Sequence, residues 1–277
     1  MIYYFLILIY IFNGVNAKSD ADMNTTELIR QMGYPAEDHE VYTEDGYILS
    51  IQRIPPHKPG RPVVFLLHGL LDSSATWVLN FPNQSLAFIL SDAEYDVWLG
   101  NTRGNTYGLR HVRLNTSQEE FWNFSWDEIA QYDLQSMINY ALKASNQESL
   151  FYVGHSQGTL VSFAQLSKNR QLASKIRLFI GLGPVATVSH IQSPIKYLAD
   201  LGQVTDEFIL YNIFGKKEFL PSSEVIKWLS IKCNINVLGK EICENVIFVL
   251  CGPSKFFNIT RLPVYVVSFF VFFFSVL

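Results

Sequence analysis

The chain has 277 residues, 49% of them hydrophobic and 17% charged, which is enough apolar material for a large buried core and excludes a disordered chain. The formal net charge is -4, with acidic and basic residues interspersed. The sequence therefore has no basic stripe of the kind that binds a phosphate backbone, which excludes nucleic acid as a partner.

An apolar run near the N-terminus predicts export. Residues 2–12 form this run, and Val15-Asn16-Ala17 follows in a small-x-small pattern typical of signal-peptide cleavage. We expect a signal peptide over residues 1–17 and a mature chain from about Lys18, although no Lys or Arg precedes the run. The alternative, an N-terminal anchor helix, is less favoured because a membrane span needs ~20 apolar residues.

The first predicted elements of the folded part form a β-hairpin. Val41–Thr43 predicts a strand and Glu44-Asp45-Gly46 a turn. Tyr47–Ile54 predicts the second strand, which a Pro-Pro pair ends.

Later segments predict a parallel sheet. Continuous apolar runs, typical of strands buried on both faces, occupy Val63–Leu67, Tyr95–Leu99 and Leu150–Val153, and Ile176–Leu182 gives one more strand. We therefore predict an α/β core over residues 18–184, with a mostly parallel sheet, helices on both faces and ligands at the carboxyl ends of the strands. Helical spacing of apolar residues between the runs predicts helices at Ser85–Leu90, Ser125–Ala144 and Thr159–Leu166.

The pattern changes after Gly183-Pro184. Residues 185–265 contain scattered aromatic residues and no buried strand run, so we predict a mostly helical insertion, with further core helices as the alternative. Residues 266–277 carry no charge, are too few to span a bilayer, and are rich in Phe and Val without proline, which is typical of aggregation-prone segments.

The three cysteines are Cys233, Cys243 and Cys251, and in an oxidising compartment two of them can close a small loop. We favour Cys233 with Cys243, because the apolar run Val246–Leu250 favours burial of Cys251 as a small hydrophobic residue. The alternative is that all three are free and buried. No Cys-x-x-Cys pair or clustered histidine accompanies them, so we predict no zinc or other metal site, and no cofactor.

Five Asn-x-Ser/Thr sequons agree with export, because each is a possible glycan site on an exposed loop. A single sequon is a weak signal, so the set counts only as agreement with the signal peptide. The candidate glycosylation sites are Asn24, Asn83, Asn115, Asn123 and Asn258.

The run Gly154-His155-Ser156-Gln157-Gly158 matches the nucleophile elbow, Gly-x-Ser-x-Gly. An apolar strand precedes it and a helical pattern follows it, as this motif requires. A sharp strand-to-helix turn leaves no room for a Cβ beside the serine, which explains the glycines. We predict that Ser156 is the nucleophile of an acyl-transfer reaction.

Acyl transfer also needs main-chain N–H donors where the oxyanion forms. Gln157 follows the nucleophile, and His68-Gly69-Leu70 follows the third strand, where this fold contributes its second donor. We assign the donors to the backbone of Leu70 and Gln157. His68 and His155 are predicted to orient these loops and to take no direct part in catalysis.

The base and its acid are not assigned. In this fold an acid and then a histidine follow the serine. His190 is the only histidine after Ser156, no Asp or Glu lies between them, and Asp200 and Asp206 come too late for that order. The triad Asp and His are therefore predicted to be absent from this chain.

The chain resembles the acid lipase family of gastric, lingual and lysosomal lipases, which includes triacylglycerol and steryl-ester hydrolases, from Met32 to about Tyr265. Members continue well beyond this point with the rest of the cap, the last core strands, the acid and the histidine. The matching stretches are Tyr42–Leu49, His68–Leu71, Asp96–Asn105, the elbow and Pro184–Thr187.

The resemblance implies the α/β-hydrolase fold, a partial cap over residues 185–265 that holds a Cys233–Cys243 disulfide, and an acyl pocket beneath the cap. It also implies the roles given above to Ser156, Leu70 and Gln157, and a secreted or lysosomal location. Trp98–Asn105 is interpreted as a strand end and loop that supports the site. We interpret residues 266–277 as a tail foreign to the family, from translation past an exon boundary or a truncated gene model.

The predicted function is hydrolysis of neutral-lipid carboxylic esters, triacylglycerol or steryl ester, through an acyl-serine intermediate. The predicted partner is a neutral lipid at an oil–water or membrane interface. The alternative is a non-catalytic lipid-binding pseudo-lipase fragment. A less favoured alternative is a short form held at a membrane by the apolar tail.

Overall fold

The computed structural model describes residues 19–70, 72–187, 258–262 and 264–265. The predicted signal peptide, the Cys233–Cys243 disulfide, most of the predicted cap and the apolar tail lie outside these residues. Within them, seven strands form one mixed sheet in the order β1-β2-β4-β3-β6-β7, and β5 pairs with β2. The strands are β1 (Glu37–Tyr42), β2 (Tyr47–Ile54), β3 (Val63–Leu67), β4 (Asp96–Gly100), β5 (Arg110–His111), β6 (Leu150–His155) and β7 (Ile176–Leu182).

The centre of the sheet is parallel and buried. β3 pairs in parallel with β4 on one side and with β6 on the other. Every residue of β3 and of β4 is buried, as their continuous apolar runs predict. Successive side chains of β3 point to opposite faces, so Phe65 joins one apolar cluster and Leu66 the other. The sheet is thus covered on both faces.

The predicted hairpin is present, but its first strand is longer than predicted. β1 begins at Glu37 and pairs antiparallel with β2, from Glu37 opposite Arg53 to Tyr42 opposite Ile48. The additional residues are polar and only partly buried or exposed, so they carry no apolar alternation. An ion pair at this end joins β2 to β4, with Arg53 Nε 2.8 Å from Asp96 Oδ1.

β7 has the predicted bounds and pairs in parallel with β6. Three apolar side chains of this strand are substantially exposed, at 51% for Leu178, 40% for Ile180 and 39% for Leu182. Among the described residues, β7 is the last strand on its side of the sheet.

The predicted helix over Ser125–Ala144 is interrupted by a π-helical turn. Trp126–Glu128 and Gln135–Ala144 are α-helical, and Ile129–Leu134 between them is π-helical. A π turn inserts an extra residue, which shifts the faces that the flanking segments present. The remaining α-helices are Thr25–Gln31, Leu86–Asp92, Glu119–Trp122, Gln157–Lys168 and Arg170–Ala173, and short 3-10 turns lie at Asp20–Asp22, Ser74–Trp77, Pro82–Gln84 and Ile259–Arg261.

The described residues near 260 pack on the core. Arg261 Nε donates to the Leu79 carbonyl oxygen over 2.6 Å, and the Arg261 guanidinium pairs with the Asp20 carboxylate. Leu262 and Val264 are buried. No helix in the described ranges is both long enough and apolar enough to cross a bilayer.

Candidate active site

Ser156 occupies a sharp turn between β6 and the helix Gln157–Lys168. Its backbone angles, φ 49° and ψ −112°, lie outside the regions that L-residues ordinarily adopt, so the turn is strained. The turn is held from both sides, because the Ser156 N–H donates to the Leu182 carbonyl over 3.0 Å and its carbonyl accepts from the Thr159 N–H over 2.9 Å. The serine is therefore fixed at the carboxyl end of the central strands.

The two glycines of the motif lie where no side chain fits. A Cβ on Gly158 would lie 2.6 Å from the Leu67 carbonyl oxygen and 2.8 Å from that of His68. A Cβ on Gly154 would lie 2.9 Å from the carbonyl of Gly158. Glycine at these positions lets the start of the helix contact the end of β3 directly.

The loop after β3 runs beside Ser156. A Cβ built on Gly69 would lie 3.2 Å from the Ser156 Cβ and 3.0 Å from the His155 Nδ1. Ser156 is partly buried. Leu70, which follows Gly69 in the loop after β3, is 41% exposed. The structure thus brings the serine and one predicted donor loop together at an accessible edge of the sheet.

The predicted oxyanion donors lie on either side of this contact. Gln157 is the first residue of the helix, where main-chain N–H groups have no partner within the helix. Leu70 follows Gly69 directly. Within the described part of the chain, neither N–H donates to a main-chain acceptor. Their role as oxyanion donors stays a prediction.

His68 is buried and fully hydrogen-bonded. Its Nε2 lies 3.3 Å from the Thr102 main-chain nitrogen and 3.2 Å from the Asn105 Nδ2, both of which are donors. Nε2 must therefore accept, which places the ring proton on Nδ1, 2.7 Å from the Gly69 carbonyl oxygen. Burial lowers the pKa of His68 to about 4, so the ring is neutral at neutral pH. This histidine orients a loop, in agreement with its predicted role.

His155 lies beside Ser156 and borders Gly69. Desolvation by partial burial lowers the pKa of its imidazole. The Ser156 side chain makes no capping hydrogen bond to the helix that follows it. His190, Asp200 and Asp206 lie outside the described residues.

Asp72 holds the other end of the donor loop. Its carboxylate accepts from the Ser73 N–H over 2.7 Å, and the Gly69 N–H and the Thr76 hydroxyl lie nearby and lower its pKa. Burial raises the pKa of this carboxyl to about 7, and the three donors oppose the increase. The sequence reading did not identify this residue.

A second buried cluster is centred on Arg103, which is 1% exposed. Its guanidinium binds both oxygens of Asp45, over 2.5 and 2.9 Å, and lies 2.8 Å from Asp133 Oδ1 through Nε. The same group stacks over the Tyr47 ring, 3.9 Å from its centroid. Burial raises the pKa of Asp133, while the Arg103 charge opposes the increase. Arg103 therefore ties the loop after β4 to the hairpin turn and to the π-helical segment.

The asparagines of this loop connect it to His68. Asn105 Nδ2 lies 2.9 Å from Asn101 Oδ1 as well as 3.2 Å from His68 Nε2. Asn101 in turn donates to Gln52 Oε1 over 3.0 Å. The segment from Trp98 to Asn105 was interpreted as a support for the site, and these contacts agree with that interpretation.

The described sequons lie at the surface. Asn24, Asn83, Asn115 and Asn123 are exposed, and Asn258 is partly exposed. Asn258 Nδ2 donates to Gln84 Oε1 over 2.9 Å. Their glycosylation stays a prediction. In the described ranges, no group of three or more His, Cys, Asp or Glu residues is placed to hold a metal ion.

A cavity of about 380 Å³ lies elsewhere, lined by residues that include Gln131, Gln165 and Lys168. Gln165 and Lys168 belong to the C-terminal half of the helix that Ser156 precedes. The cavity is therefore separate from the candidate active site.

Two family models match the chain. One, described as a partial alpha/beta-hydrolase lipase region, matches residues 25–81. The other, the alpha/beta hydrolase fold, matches residues 62–217.

Curated relatives match over most of the chain. Human lysosomal acid lipase/cholesteryl ester hydrolase is 47% identical over 253 residues, which are 89% of this chain and 62% of that protein. Rat gastric triacylglycerol lipase is 45% identical over 254 residues, 89% of this chain and 63% of that protein. The chain thus spans less than two thirds of the length of these relatives. Among solved structures, an epoxide hydrolase from Vigna radiata matches 84% of this chain and 67% of its own, with 17% identity and a TM-score of 0.46.

Proposed function

We propose a lipase function for this chain from the premise that it belongs to the α/β-hydrolase fold family, in the group of the acid lipases. The family models and the curated relatives confirm the fold class and the family that the motifs predict. Family membership does not establish the site residues, the substrate or the activity, and these are proposed below.

One observation carries the proposal: the strained turn at Ser156 is packed against Gly69. Ser156 is only partly buried, and Gly69, which directly precedes Leu70, lies against the Ser156 side chain. We propose that the N–H groups of Leu70 and Gln157 face the same side of this contact. A hydroxyl beside two main-chain donors is the arrangement that stabilises a tetrahedral oxyanion.

In the reaction proposed for the whole protein, Ser156 Oγ bonds to the carbonyl carbon of a lipid ester as a base takes the hydroxyl proton, and no residue of this sequence is assigned as that base. The carbonyl oxygen becomes an oxyanion held by the N–H groups of Leu70 and Gln157, each worth ~3 to 4 kcal/mol in the transition state. The bond to the alcohol oxygen then breaks, the alcohol leaves with the proton, and an acyl-Ser156 ester remains. Water hydrolyses this ester, which releases the fatty acid and restores the serine.

We propose a neutral-lipid ester as the substrate, at an oil–water or membrane interface. One relative is named a cholesteryl ester hydrolase and another a triacylglycerol lipase, which supports the class and leaves both alcohols as candidates. The relatives named lysosomal and gastric, together with the predicted signal peptide, support the secretory pathway as the location.

A fluorophosphonate probe tests the nucleophile, because it phosphonylates an activated serine. We expect a covalent adduct on the peptide that contains Ser156 and none on the Ser156→Ala variant, by mass spectrometry. Equal labelling of the two proteins would overturn the proposal. Release of oleate from emulsions of triolein and of cholesteryl oleate then separates the two substrate classes.

A second candidate function is lipid binding without turnover. The order of residues up to His190 favours it, because no Asp or Glu lies between Ser156 and that histidine. It predicts that the chain retains a fluorescent fatty ester without releasing fatty acid. Rapid labelling of Ser156 by the probe would count against it.

A further inference from the structure

We propose that His68 is a positioning residue that fixes the direction of the Leu70 N–H, and thereby one of the two oxyanion donors. This inference rests on the proposed function, because an oriented N–H matters to catalysis only where an oxyanion forms beside Ser156. His68 itself has no contact with the reacting atoms.

The argument begins with one peptide bond. The Gly69 carbonyl and the Leu70 N–H belong to the same planar, trans peptide unit, so they point in opposite directions. A hydrogen bond that holds the carbonyl therefore sets the direction of the N–H. His68 Nδ1 lies 2.7 Å from that carbonyl oxygen, on the buried side of the loop. The Leu70 N–H then points away from the buried histidine.

The hydrogen bond requires one tautomer, and the surroundings select it. Nε2 of His68 accepts from the Thr102 N–H over 3.3 Å and from the Asn105 amide over 3.2 Å. Because it is an acceptor, Nε2 cannot carry the ring proton. Asn105 is itself held by Asn101 at 2.9 Å. The low pKa of the buried ring keeps it neutral, so Nε2 stays an acceptor at neutral pH.

The N–H group of Gly69 lies near a second group of the loop, the Asp72 carboxyl, and lowers its pKa, while the Gly69 carbonyl accepts from His68. The Gly69 carbonyl is therefore fixed by His68 at the point where the loop passes Ser156. A loop with only van der Waals contacts would leave the Leu70 peptide free to rotate.

Two conservative variants separate positioning from general structural support. In His68→Asn the side-chain amide can occupy the Nδ1 position and donate to the Gly69 carbonyl, but nothing replaces Nε2. In His68→Gln the side-chain oxygen can occupy the Nε2 position and accept from Thr102 and Asn105, but nothing donates to Gly69. Each variant thus keeps one half of the network.

The readout is the rate of fluorophosphonate labelling of Ser156 in the full chain, because the phosphoryl oxygen occupies the oxyanion position. We expect His68→Asn to label within a few-fold of the unchanged protein and His68→Gln to label roughly 10²-fold more slowly, as for loss of one oxyanion donor. The decrease should lie in the maximal labelling rate and not in the affinity for the probe. Labelling of His68→Gln at the unchanged rate, or equal losses in both variants, would overturn the inference.

A second measurement uses the unchanged protein, so it tests the inference even if the two variants do not fold. The ¹⁵N resonances of the His68 ring in the unchanged protein report the tautomer, and we expect a proton on Nδ1 and none on Nε2. The opposite tautomer would overturn the inference, because Nδ1 could not then donate to Gly69. If the unchanged protein is not labelled at all, the proposed function fails and this role fails with it, whereas normal labelling with the wrong tautomer removes only the role of His68.

Discussion

Gly158 lies so close to Leu67 that a Cβ at position 158 would be 2.6 Å from the Leu67 carbonyl oxygen. The atom in the way is main chain, so it cannot move aside as a flexible side chain would. We expect Gly158→Ala to displace the helix from the end of β3 and to lower the free energy of unfolding by roughly 1–3 kcal/mol, as overpacking does. Urea unfolding measures the loss, and Ser156 labelling should fall with it.

Gly181→Ala is the matched control. A Cβ there would meet its nearest atoms at 3.4 Å, an ordinary contact, and Gly181 lies in β7 at the register position opposite Gly154. Its unfolding free energy should change by less than that of Gly158→Ala. Equal effects of the two substitutions would contradict the close contact.

The buried pair of Arg103 and Asp133 gives a second prediction. Asp133 is fully buried and accepts from the Arg103 main-chain N–H over 2.8 Å as well as from the guanidinium. Asp133→Asn leaves the Arg103 charge with one of its two carboxylates, and loss of a partner from a buried pair costs roughly 3–5 kcal/mol. Urea unfolding at neutral pH measures the loss.

The half-exposed pair of Arg61 and Glu94 supplies the comparison. Its atoms are 3.1 Å apart, and the two side chains are 39% and 36% exposed. Glu94→Gln should cost at most about 1 kcal/mol, because water screens such pairs. A loss for Asp133→Asn no larger than this would show that the buried pair is not required for stability.

Local sequence patterns predicted the elements that present Ser156. β3 has the predicted bounds, Val63–Leu67, because a strand buried on both faces shows as an unbroken apolar run. The turn at Ser156 was predictable for a related reason: strand, glycines and helix are contiguous in sequence. Strand burial and turn formation depend on residue types within a few positions of each other. Both can therefore be predicted from one sequence.

The contacts that support the site were not predictable in this way. Arg103 meets Asp45 and Asp133 across separations of 58 and 30 residues, and only the fold brings them together. The π-helical turn at Ile129–Leu134 was also missed, because one inserted residue barely alters the apolar spacing of a long helix.

One missed element did have a local signal. The helix Thr25–Gln31 begins with a capping box, in which the Asn24 side chain accepts from the Glu27 N–H and the Glu27 side chain accepts from the Asn24 N–H. An Asn followed three residues later by Glu is a known start signal for a helix. Asn24 was interpreted from the sequence only as a glycosylation sequon, so the helix that begins at Thr25 was not predicted.

The buried His68 predicts how stability changes in acid. Its pKa is about 4, below the ordinary value of 6.5, so the unfolded chain takes up a proton that the folded protein does not. The free energy of unfolding should therefore decrease as the pH falls from about 6.5 to about 4, by roughly 3 kcal/mol from this residue. Urea unfolding of the unchanged protein and of His68→Asn across this range isolates the contribution, because the other groups are common to both.

If the difference in free energy of unfolding between the unchanged protein and His68→Asn stays constant across that pH range, this expectation is wrong. The variant retains a donor to Gly69, so the comparison removes the titration without removing that hydrogen bond.

Asp72 predicts the opposite dependence. Its pKa is raised from 3.8 to about 7 by burial, so the folded protein keeps a proton that the unfolded chain releases. This residue should lower the free energy of unfolding as the pH rises from about 4 to about 7. In Asp72→Asn that decrease is removed, and the stability of the unchanged protein relative to the variant should fall with rising pH. A relative stability that rises instead would show that the carboxylate is ionised and well compensated in the folded state.

Asn24 allows the glycan and the helix cap to be separated. Its Oδ1 accepts from the Glu27 N–H over 2.9 Å, which leaves the exposed amide nitrogen available for a glycan. Asn24→Asp removes the acceptor nitrogen and keeps a capping oxygen, whereas Asn24→Ala removes both. After expression through a secretory pathway, we expect both variants to lose the mass of one glycan. Of the two, only Asn24→Ala should lose roughly 1 kcal/mol of stability, measured by urea unfolding after enzymatic deglycosylation. Equal stability of the two variants would mean that the cap contributes nothing, and an unchanged mass in both would mean that Asn24 carries no glycan.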